Sequence, residues 1–99
     1  MKITDSALDI MGFISTDKTI YSKRFLLSKY DSYSLVLLRL NDYKWMVSMI
    51  ADGDFEHTIV EFGLQISETI STVDELVEIE KRINERIKTH VEMEFAKLK

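Results

Sequence analysis

Acids and a histidine gather in one short stretch, Asp52-Gly53-Asp54-Phe55-Glu56-His57, and oxygen and imidazole donors at that density are what a divalent cation requires. The spacing departs from the twelve-residue calcium loop of a helix-loop-helix, and the same acids suit a solvated turn, so no metal ligands are expected here. The two histidines, His57 and His90, stand in no zinc-type spacing and meet only if the fold joins them. With Gly12, Gly53 and Gly63 as the glycines, no phosphate loop, nucleophile elbow or dinucleotide fingerprint can be built. The lack of cysteine removes thiolate nucleophiles, cysteine-held metals and disulfides. The chain therefore reads as non-enzymatic, with no cofactor expected.

Three other groupings offer different chemistry. Glu80 and Asn84 fall one turn apart inside the apolar arc of a C-terminal helix. With His90 they would form a polar notch able to bind a ligand, since a buried carboxylate must be paired or protonated. The plainer alternative is that Glu80 reaches water along its stem or pairs with an arginine such as Arg39. Tyr21, Lys23 and Phe25 share one strand face with Arg24 on the other, inside the acid-free stretch from Lys18 to Tyr30 that also holds Lys29. Basic residues interleaved with aromatics on a sheet can contact phosphate and stack bases, whereas an edge strand guarded by lysines has the same composition. A net charge of −4 weighs against phosphate neutralisation as the main task. Finally Phe95 and Leu98, with Met93 beside them, place apolar surface at the far end of the helix and form a candidate interface with a second protomer.

The elements that must position these residues are read from periodicity. Ile3, Ala7, Ile10, Met11 and Ile14 recur at helical spacing, with Thr4 or Asp5 as cap and Gly12 as terminator, which predicts a helix over Asp5 to Met11. Runs rich in aromatic and branched residues predict strands at Thr19 to Leu27, Tyr33 to Leu40, Tyr43 to Ala51 and Phe55 to Ile66. Asn41-Asp42 and Asp52-Gly53 tolerate the backbone of tight hairpins, so consecutive strands should be antiparallel neighbours. In Tyr33 to Leu40 both faces are apolar, as in a central strand covered on both sides, either by the N-terminal helix or by another copy of the chain. Trp45 reads as a core anchor, and the scattered methionines as gap fillers.

Ser71 and Thr72 precede Asp74 and Glu75 at the spacing of a capping box, and helical periodicity runs from Val73 onward. Val73, Leu76, Val77, Ile83, Ile87, Val91, Phe95 and Leu98 lie within an arc of about 120°. Spacing by four along Ile83, Ile87, Val91 and Phe95 lacks the 3.5-residue coiled-coil repeat. A helix of about 26 residues spans about 39 Å, against about 26 Å for a strand of about eight. It should overhang its sheet, placing Phe95 and Leu98 on a second protomer or on the N-terminal helix.

The whole is an α+β chain: a short N-terminal helix, a four-stranded antiparallel meander and a long C-terminal helix packed on one sheet face. Its 99 residues fit a single domain, 1–99, and 45% hydrophobic with 30% charged residues is an ordinary globular composition. Lys2 is followed by Thr4, Asp5 and Asp9 in place of an apolar leader, and no run approaches the roughly 18 apolar residues of a membrane span, so the expected address is cytoplasmic.

Met11-Gly12-Phe13 after a first helix, Trp45 with Val47 in a strand, an Asp-Gly-Asp turn, and Thr72 with Asp74, Glu75 and Leu76 opening a final helix follow one another along most of the chain. In this order of features the sequence resembles small uncharacterised proteins encoded by phages and prophages of Gram-positive bacteria. The resemblance implies an accessory protein in the host cytoplasm and transfers no functional residues. The expectation is thus a non-enzymatic accessory protein acting through protein–protein contacts, as a homodimer, with a nucleic-acid-binding module on residues 18–30 as the alternative.

Overall fold

Thr4 opens the first helix as its sequence predicts: the side-chain Oγ1 accepts the Ala7 N–H at 3.1 Å, and α1 runs over Asp5–Ile10. The computed structural model describes residues 1–26, 32–52 and 66–97, with side chains as far as 51 in the second stretch and 89 in the third. Gly12 ends the helical segment at φ +93°, a conformation that suits glycine. The chain then turns through Asp17, whose Oδ1 accepts the N–H groups of Thr19 and Ile20, into β1 (Ile20–Leu26).

Three further strands, β2 (Ser32–Arg39), β3 (Trp45–Asp52) and β4 (Ser67–Ile70), complete an antiparallel sheet in the order β1-β2-β3-β4. The β2–β3 connection is the Asn41-Asp42 turn read from sequence: Asn41 Oδ1 accepts the N–H groups of Tyr43 and Lys44, and Leu40 and Asn41 donate to the Lys44 carbonyl. The strand that pairs with β3, Ser67–Ile70, is not among those expected. Residues 55–65 of the expected Phe55 to Ile66 strand lie outside the described residues, as does Gly53 of the second expected turn. A polar tetrapeptide offers too little alternation to be recognised without its partner.

The last element, α2 (Val73–Lys97), begins with the reciprocal cap its sequence foretold. Thr72 Oγ1 accepts the Glu75 N–H at 3.2 Å, while Glu75 Oε1 accepts the N–H groups of Ser71 and Thr72 at 3.1 Å. These bonds hold the Glu75 carboxyl below its ordinary value, led by the Ser71 N–H. The backbone stays helical through Thr89, whose hydroxyl donates to the Glu85 carbonyl, and on to Lys97. At 1.5 Å per residue α2 is about 37 Å long, so it outruns the sheet as its length implied.

Register divides the sheet into two faces. The inner face carries Tyr21, Lys23 and Phe25 of β1, Tyr33, Leu35 and Leu37 of β2, Trp45 and Val47 of β3, and Ile70 of β4. Leu8, Phe13, Leu76, Ile79 and Ile83 close over it in one hydrophobic cluster, in which Leu35, Leu37 and Val47 are fully buried. Trp45, 1% exposed, is the anchor expected of it, with Tyr21 packed edge-on at 5.7 Å. Both described helices lie on this inner side, so α1 does not cover the second face as one expectation held.

The apolar arc of α2 also needs correction. Ile79, absent from the expected stripe, is 1% exposed, whereas Val77, included in it, is 49% exposed. The buried face centres near Leu76, Ile79 and Ile83, about 70° from the expected direction at 100° per residue.

Candidate functional site

At the flank of the rotated helix stands the predicted polar notch, and the structure shows what occupies it. Lys23 points inward from β1, and its Nζ lies 5.0 and 5.7 Å from the ring centres of Phe25 and Phe13 and 3.5 Å from Glu80 Oε1. Both side chains stay partly open, 27% and 18% exposed, so the pair is a solvent-edge tie of modest strength. On the other flank Arg82 meets Glu68 of β4 at 2.6 Å. Glu80 and Arg82 thus tie α2 to β1 and β4 on either side of its buried face. Glu80 is paired, as the plainer sequence reading held, but with Lys23 in place of Arg39.

Asn84 is exposed, and its Oδ1 lies 3.5 Å from the hydroxyl of Tyr33. Tyr33 is 1% exposed and stacks on Phe25 at 4.8 Å; burial, with the nearby Glu80 charge, pushes its phenol up to about 12. The notch is therefore a Lys23–Glu80 pair beside a neutral, high-pKa phenol. His90, its third expected member, has a side chain outside the described residues, as do Met93, Phe95 and Leu98 of the expected helix interface, and His57.

A second polar cluster, unforeseen in sequence, joins α1 to the sheet. Tyr21 Oη and Arg39 Nη2 both donate to Asp5 Oδ1, Arg39 Nε donates to the Lys18 carbonyl, and the Arg39 guanidinium lies 4.3 Å from the Trp45 ring centre. The Tyr21 hydrogen bond, then the charges of Arg39 and Lys18, hold the Asp5 carboxyl below its usual range, and the same bond raises Tyr21. This cluster floors an open cleft of about 400 Å³ lined by Asp9, Phe13, Ser15 and Lys18. Its ionic and hydroxyl groups already bind one another across three elements.

The candidate nucleic-acid face is divided by the fold. Tyr21 and Phe25 face the core, with Tyr21 5% exposed and Phe25 stacked on Tyr33, so neither ring offers an open surface to a base. Lys23 is engaged by Glu80, and Arg24, on the opposite face, donates its Nε–H to Ser32 Oγ at 3.2 Å. Strand alternation puts Tyr21, Lys23 and Phe25 on the inner side of the sheet and Arg24 on the other, as the sequence had it, but the inner side is the packed one, so the expected open basic and aromatic face is corrected. Lys29 and Tyr30 lie outside the described residues.

The remaining surface of note is the outer face of the sheet. Ile20, Leu26 and Ile50 are 48%, 75% and 56% exposed there, and Val36, Leu38 and Met46 are half-buried. Ser22, Ser34 and Ser48 stand between them, and none of these residues joins the core cluster. At one corner Ser32 is buried, 2% exposed, where it receives Arg24. Sequence reasoning found this second apolar face from β2 but not its extent, which only register reveals.

Among the described residues no group of three histidine, aspartate or glutamate side chains converges to hold a metal, and no helix is long and apolar enough to cross a membrane. No family model, curated protein or solved structure matches the chain.

Proposed function

We propose that this chain is a non-enzymatic accessory protein that acts by binding another protein through the outer face of its sheet. One observation carries the reading: a nearly uncharged sheet surface on which Ile20, Leu26 and Ile50 stand exposed among serines lies opposite the packed inner face, and no described residue of it enters the core. Exposed apolar surface gathered in one place is what association uses. The chain's conspicuous polar groups support the same reading, because Asp5, Lys23, Arg39, Glu68, Glu80 and Arg82 already serve as ties between elements.

The test is a pair of outer-face substitutions, Val36→Lys and Ile50→Lys, measured by chemical denaturation in dilute solution. An open binding face predicts retained secondary structure and a combined cost within about 1 kcal/mol, as for surface positions. A loss of about 3 kcal/mol or more would mean that the chain's own packing covers these residues, and the reading would fall.

A further inference from the structure

We infer that the occupant of the outer sheet face is a second copy of the same chain, packed face to face about a two-fold axis; this rests on the association reading above. The first argument is the relief of the surface. Cross-strand register lines up Ile20, Leu38 and Met46 as a ridge of long side chains, and the adjacent row, Ser22, Val36 and Ser48, as a trough of short ones. Rows one inner residue apart are separated by about 6.6 Å along the strand. A two-fold axis between ridge and trough seats each copy's ridge in the other's trough, so the surface is its own complement.

Charge gives the second argument. Among the described outer-face side chains Arg24 is the charged one; it sits on the edge strand β1 and is bonded to Ser32. A partner selected by opposite charge finds nothing to read in the centre of this face. A copy of the face suits it, because residues near a two-fold axis meet themselves or close neighbours and any central charge would confront its like.

Size and edges set the geometry and strength. About that axis the two copies overlap over little more than the ridge and trough rows, roughly 250 Å² per copy, hence roughly 500 Å² for the pair. That is below the size of a stable specific interface and predicts a weak, rapidly exchanging dimer. Edge-to-edge pairing is disfavoured on β1, where Ile14 exchanges two 2.9 Å backbone hydrogen bonds with Ser22.

The chain has no cysteine, so Ser48→Cys places the sole thiol in the trough. Its rate of reaction with a thiol reagent is measured over a dilution series, alongside light scattering of wild type, Leu38→Lys and Met46→Lys. The expected result is a wild-type mass that doubles with concentration. Labelling should speed up at least tenfold on dilution, and both lysine variants should be monomers with the circular dichroism of diluted wild type. A dimer whose thiol reacts fast at every concentration would place the contact elsewhere and overturn the inference. A monomer with fast labelling throughout would overturn the second copy while leaving another protein as partner. A monomer with slow labelling at every concentration would overturn both readings, since the chain itself would then cover the face. The Ser48→Cys arms decide among these even if a lysine variant fails to fold.

Discussion

Lys23 is the residue on which the local chemistry turns. A lysine on the inner face of a sheet would be costly if its ammonium were enclosed, but here the ammonium stands by the rings of Phe13 and Phe25, meets Glu80 and stays partly open to solvent. The same Glu80 charge, added to burial, keeps the Tyr33 phenol neutral up to about 12. A folded value above the ordinary 10.0 means stability that is fully present below pH 10 and lost as the pH rises through the folded value, because the unfolded chain ionises first. Spectroscopic titration should therefore find a tyrosine ionising near 12, with stability falling from pH 10 upward. Tyr33→Phe should remove its share of that alkaline loss; a variant with an unchanged alkaline limb would show that Tyr33 is not the group responsible.

At the scale of the element, α2 shows how a helix's apolar arc and its buried face can differ. Val77 and Ile79 are both branched and two residues apart, yet one is half exposed and the other sealed. The two ion pairs that flank the buried face, Glu80 with β1 and Arg82 with β4, agree with this rotation. Ile79→Ala should cost about 2–5 kcal/mol of unfolding free energy, and Val77→Ala no more than about 0.5 kcal/mol. Equal costs in denaturant titrations would restore the arc that sequence suggested, with Val77 in the core.

Across the whole molecule the first residues of the chain hold the start of the last helix. The Val73 N–H donates to the Met1 carbonyl at 2.8 Å, Lys2 pairs with Thr72, and Ile3, 1% exposed, enters the core beside Leu8 and Leu76. Met1–Ile3 therefore belongs to the same cooperative unit as α2. Ile3→Ala should lower global stability by about 2–5 kcal/mol and speed amide exchange at Val73. Fast exchange at Val73 without a global loss would mean that the tie frays independently of the core. The position of α1 has a second consequence: with both described helices on the inner side, neither covers the outer face of the sheet.

The sequence alone determined what short-range physics controls. Thr4 and Thr72 as caps, the Glu75 reciprocal bond, Gly12 at positive φ, the Asn41 turn and the class of helix, antiparallel strands and helix each depend on groups a few residues apart. Tertiary structure decided whatever required a distant partner. Ser67–Ile70 became a strand only by pairing with β3, and α1 was committed to the inner face by Leu8, Phe13 and the Asp5–Tyr21–Arg39 contacts. Lys23 and Glu80, far apart in sequence, found one another only once α2 had settled on the sheet. Periodicity records that a helix has an apolar side, but the surface beneath it chooses which degrees of that side are buried, because burial is a property of two surfaces and a sequence segment displays one.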